Sequence, residues 1–95
     1  MPEMRFRISW PDGRSESCYS PSLVIKDYFE PGESYELGEF LARSRSALTI
    51  ASERVRARYG HPCSLALAQL SRIEAAGARY SALPDARVRV EAFEE

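Results

Sequence analysis

Between Tyr35 and Tyr59 the residues Leu37, Phe40, Leu41, Leu48, Ala51, Val55 and Tyr59 recur at helical spacing and fall on one face. An apolar stripe of this length has to be buried, so in a chain of 95 residues it fixes much of what the rest must do. Ser34 stands at the N-cap position and Gly60 where a left-handed C-terminal residue belongs, which predicts one helix over 35–59. A second stripe, Ala66, Leu67, Leu70, Ile73, Gly77 and Tyr80, predicts another over 63–82. Gly77 costs a helix about 1 kcal/mol relative to Ala, and its presence points to the close approach of another backbone.

The two ends of the chain have a different period. Met4, Phe6, Ile8 and Trp10 alternate with Glu3, Arg5, Arg7 and Ser9, and Val88, Val90 and Ala92 alternate with Arg87, Arg89 and Glu91. Each is the pattern of a strand with one buried face. Pro11-Asp12-Gly13 suits a hairpin loop leading into a returning strand over 14–19. Ser20-Pro21 fits an N-cap with Pro at the first helical position and predicts a short helix over 22–29, although Leu23-Val24-Ile25 also suits extended chain. Glu30-Pro31-Gly32 ends that segment. The expected fold is α+β: a three-stranded, mostly antiparallel sheet made of a β-hairpin and the C-terminal strand, with two main helices and a short third on one face, in a single domain over 1–95.

A hydrophobic fraction of 44% and a charged fraction of 28% are those of a chain that folds. Thirteen basic and fourteen acidic residues leave a net charge of −1, so no global field draws the protein to nucleic acid or an acidic membrane. The apolar runs are far shorter than the roughly 20 residues needed to cross a bilayer. The alternation from Met4 to Arg7 is unlike a secretory signal, and the expected location is the cytoplasm.

Two groups of residues are candidates for function. On the long helix, Arg43, Arg54 and Arg58 lie along one flank of the stripe and Arg45 and Arg56 along the other, and Glu53 is the only acid from Arg43 to Arg58. Such a helix offers guanidinium forks to an acidic partner protein or a small anion; the plainer reading is a solvated face paired with neighbouring Glu. Ile50 falls almost opposite the stripe, with Ala47 and Ala57 nearby, which makes Ile50 the apolar centre of a candidate protein interface. Ser44 falls inside the stripe, where a bond back to the Phe40 carbonyl is expected.

The second group is His61-Pro62-Cys63, a thiol at a helix start near the chain's single imidazole. It would suit a small thiol-dependent enzyme or carrier, against the commoner role of cysteine as a packed apolar residue. One His and two isolated Cys make no zinc set, so neither a metal nor a cofactor is expected. No Gly-rich phosphate loop, nucleophile elbow or paired-carboxylate motif is present, no residue is assigned as catalytic, and the favoured reading is non-enzymatic. The outward strand residues Arg5, Arg7, Arg87 and Arg89 lack an aromatic platform if Phe6 and Trp10 point inward, so sequence-specific nucleic-acid binding is not expected.

Several segments are familiar together. Met1-Pro2-Glu3-Met4, Trp10-Pro11-Asp12-Gly13, Cys18-Tyr19-Ser20-Pro21-Ser22, Asp27-Tyr28-Phe29 with Pro31-Gly32, and Phe40 to Arg45 running into Ala51 to Arg56 cover nearly the whole chain. The sequence resembles a small bacterial nitrogen-starvation-response protein family encoded in nitrilase-containing gene clusters. The resemblance implies an accessory or regulatory protein that binds an enzyme of that nitrogen-assimilation cluster or a second copy of itself. It supplies no catalytic residues.

Overall fold

A computed structural model describes residues 3–95; Met1 and Pro2, part of the first segment of the resemblance, lie outside the described residues. The order is β1 (Met4–Ser9), β2 (Ser15–Ser20), α1 (Ile25–Tyr28), β3 (Ser34–Glu36), α2 (Leu37–Tyr59), α3 (Ser64–Ala78) and β4 (Arg87–Glu94). The class is α+β as expected, but the antiparallel sheet has four strands, in the order β2-β1-β4-β3. The N- and C-terminal strands are thus the central pair.

The additional strand replaces the expected Ser34 cap. Ser34, Tyr35 and Glu36 pair with Arg89, Val88 and Arg87, and the Leu37 N–H donates to the Ala86 carbonyl at 3.0 Å. The first orphan donor of α2 is therefore satisfied by the continuing β4 side of the ladder, with no side-chain cap. At the other end Gly60 takes φ +87° and its N–H donates to Arg56, as its sequence position predicts.

The Pro11-Asp12-Gly13 loop also matches expectation: the Gly13 N–H closes a turn on the Trp10 carbonyl at 2.8 Å, and Gly13 takes φ +89°. Ser20 and Pro21 do not begin a helix. The Ser22 N–H donates to Ser20 Oγ and the Val24 N–H to Ser22 Oγ, and these local turns delay α1 to Ile25. Similarly α3 stops at Ala78, and a run of turns carries the chain to β4.

Phe6, Ile8, Phe29, Phe40, Leu48, Ile73, Val88 and Val90 are fully or nearly fully buried in one cluster. Each such side chain contributes about 2 kcal/mol through burial. Rings link its parts: Phe29 lies 5.3 Å from Phe40 and 5.2 Å from Tyr35, and Trp10 lies 5.7 Å from both Phe40 and Tyr80. Ala92 does not join this face. A bulge shifts the β1–β4 register between Arg7 and Ile8, so Arg7 faces Ala92 while Phe6 faces Phe93, and Phe93 packs on the core in its place.

Ser44 is fully buried, yet its hydroxyl has no partner among the described residues, so the expected bond to Phe40 is not made. Ala47 is fully buried and so does not belong to an outer apolar strip. Gly77 does mark a close approach, but to the Leu41 side chain rather than to backbone.

Candidate functional site

The arginines of α2 divide by what they hold. Arg43 donates to the Tyr28 carbonyl at 2.8 Å and to Glu39 at 2.9 Å, with its guanidinium 5.3 Å from the Tyr35 ring centre. Arg54 donates to the Ser22 hydroxyl at 3.0 Å. On the opposite flank Arg45 meets Glu74 at 2.6 Å and ties α2 to α3. These three groups spend donors on the fold itself. Among the described residues Arg56 has only Glu53, at 3.8 Å, and Arg58 lies over the ring of its neighbour Tyr59 at 5.8 Å, so both remain at the surface. Ile50 is half-buried, on the flank that carries Arg43 and Arg54.

At 23 residues α2 is about 35 Å long, against a longest molecular dimension of 42 Å. Its buried residues stop at Ser52, and none of the side chains from Glu53 through Leu65 is buried. The end of the α2–α3 hairpin therefore stands clear of the core, with Tyr59 56% and Leu65 64% exposed. His61 and Cys63 belong to this end. Cys63 is half-buried at the N-cap of α3 and its N–H donates to Ser52 Oγ, whereas His61 Nδ1 lies 3.4 Å from the Pro62 carbonyl. The two side chains form no hydrogen bond with each other. Cys18 is buried in the core, where desolvation pushes its thiol well above its ordinary pKa.

Concave surface lies elsewhere. A cavity of about 510 Å³ separates the start of α2 from the end of α3, with Leu37, Leu41 and Leu83 against the Arg45–Glu74 pair. A second, of about 460 Å³, lies between the free edge of β2 and the outer side of α3. There Tyr19 points outward, an aromatic on the arginine-bearing sheet face that the inward Phe6 and Trp10 had not led us to expect. Its hydroxyl donates to Glu3 at 3.0 Å, and burial, that bond and the Glu3 charge push its pKa up to about 12. The alternation of β2 was the available signal for Tyr19; Gln69, which meets it from α3, had none.

Among the described residues no group of three or more His, Cys, Asp or Glu is placed to hold a metal ion, and no helix is long and apolar enough to cross a membrane. The fold and its surface define a small α+β protein with exposed Tyr59, Leu65 and Leu67 at or near the end of a helical hairpin and exposed Leu83 beyond the far end of α3. By its sequence the chain belongs to the family described as nitrogen starvation-induced protein NitG, whose pattern matches residues 5–93. No curated protein and no solved structure matches it.

Proposed function

We propose that this nitrogen-starvation-induced protein is a non-enzymatic accessory or regulatory protein that works in the cytoplasm by binding an enzyme of a nitrilase-associated nitrogen-assimilation cluster. The observation that supports this reading is the hairpin end, unburied from Glu53 through Leu65 and carrying exposed Tyr59 and Leu65. Exposed aromatic and aliphatic groups gain on association by leaving water, and a protruding helical end suits a groove on another protein. Arg56 and Arg58 beside them supply a charged rim that orients the encounter. Ile50 is half-covered by its own chain and stands on the side of α2 opposite Tyr59, so it lies outside this surface.

The test is to mix the purified chain with each purified enzyme of the cluster and follow complex formation by sedimentation and calorimetry. A complex is expected that Tyr59→Asp abolishes and that Arg58→Ala makes more salt-sensitive. Self-association lost in Tyr59→Asp would assign the surface to a second copy. Binding unchanged by Tyr59→Asp would remove the hairpin end from the interface.

A further inference from the structure

Strand β2 is a sheet edge, and α3 covers part of it with a side chain instead of a strand. The Tyr19 N–H donates to Gln69 Oε1 at 3.0 Å. That bond fixes which way the amide faces and leaves Gln69 Nε2 buried with no acceptor among the described residues, in a side chain only 5% exposed. A buried donor without an acceptor is costly, and it stands beside the 460 Å³ cleft that Gln69 helps to line.

The walls of this cleft bring two further donors. Among the described residues seven basic side chains form ion pairs, and Arg5 and Arg72 are among the six that form none. Both line the cleft, and Arg5 lies 5.9 Å from the centre of the Tyr19 ring. The single carboxylate there, Glu3, already accepts the Tyr19 hydroxyl. Two guanidinium groups and one carboxylate leave a net charge of +1. Leu65 and Ala68 form an apolar side wall.

We propose that this cleft binds a small monocarboxylate, its carboxylate held by Arg5 and Arg72, its hydrocarbon body against Leu65, and Gln69 Nε2 as the neutral donor beneath. A guanidinium fork matches a carboxylate in shape and charge. Glu3 disfavours a dianion, and Leu65 favours a ligand with a carbon body over a bare inorganic anion. An added peptide strand fits poorly, because Gln69 already occupies the Tyr19 N–H such a strand would use. Gln69 Nε2 has almost no accessible surface, so engaging it requires a neighbouring side chain to shift as the ligand enters. This cleft shares Leu65 with the proposed protein-binding surface at the hairpin end but does not include Tyr59, so Tyr59→Asp tests that surface and Arg72→Gln tests the cleft.

The experiment titrates the full ¹⁵N-labelled chain with isovalerate, neutral isovaleramide and inorganic phosphate at constant ionic strength. Isovalerate should give saturable shifts at the Tyr19 backbone amide and the Gln69 side-chain amide, with a dissociation constant of about 1 mM. Arg72→Gln, at an exposed position, should keep the folded spectrum and weaken binding about tenfold. Equal binding of isovaleramide, tighter binding of phosphate, absence of saturable shifts, or unchanged affinity in Arg72→Gln would each overturn the proposal.

Discussion

A methyl group on Gly77 would stand 2.8 Å from Leu41 Cδ2, closer than van der Waals contact allows, so the packing of α3 on α2 depends on the missing side chain. The neighbour is the end of a flexible side chain, and Leu41 borders the larger cavity, into which it has room to move. Gly77→Ala should therefore change unfolding free energy by less than about 1 kcal/mol, helix propensity offsetting the displacement of Leu41. Gly77→Val adds bulk the gap cannot take and should destabilise by about 2 kcal/mol. Urea unfolding of both variants measures the difference.

Leu41's helix also holds Ser44, whose buried hydroxyl finds no acceptor or donor among the described residues. Its replacement by Ala removes an unsatisfied polar group and favours the helix, so Ser44→Ala should stabilise the protein by about 1 kcal/mol. A lower denaturation midpoint would mean that the hydroxyl has a partner.

The arginines of α2 differ in stability as they differ in position. Arg43→Ala loses the bond to the Tyr28 carbonyl together with its packing on Tyr35, and should cost about 1–2 kcal/mol. Arg56→Ala loses only a 3.8 Å surface pair and should stay within about 0.5 kcal/mol of the parent. Thermal unfolding of the two variants side by side is the check.

The phenol of Tyr19 makes stability fall at alkaline pH. Its ordinary pKa is 10.0 and the fold raises it to about 12. Below 10.0 both folded and unfolded chains hold the proton and its contribution is fully present. As pH rises toward about 12 the unfolded chain gives up the proton first, so the contribution is lost. The buried Cys18 thiol, raised from an ordinary 9.0, adds a loss of the same sign. Unfolding midpoints should decline above pH about 9, and the decline should be shallower in Tyr19→Phe. Identical slopes in the two proteins would mean that Tyr19 ionises equally well in both states.

Much of the fold was legible because it is written in local periodicity. The alternation at both ends, the helical stripes, and the loop and cap glycines Gly13 and Gly60 each act within a few residues. Strand β3 was not legible: Ser34, Tyr35 and Glu36 are too short to show a period, and they are extended only because β4 lies alongside. The bulge that exchanges Ala92 for Phe93 likewise depends on the pairing with β1.

For the candidate sites, the sequence by itself determined which residues could serve: arginines on two flanks of a helix, a thiol near a histidine, an outward sheet face rich in arginine. Tertiary structure decided which of them were already engaged. Arg43, Arg45 and Arg54 were drawn into bonds with segments that no local pattern places near them, whereas Arg5 and Arg72, far apart in the chain, came to share a cleft with Gln69. Periodicity fixes the direction of a side chain relative to its own helix or strand. Its partners depend on the packing of elements distant in sequence, and on whether a guanidinium or amide finds an acceptor there.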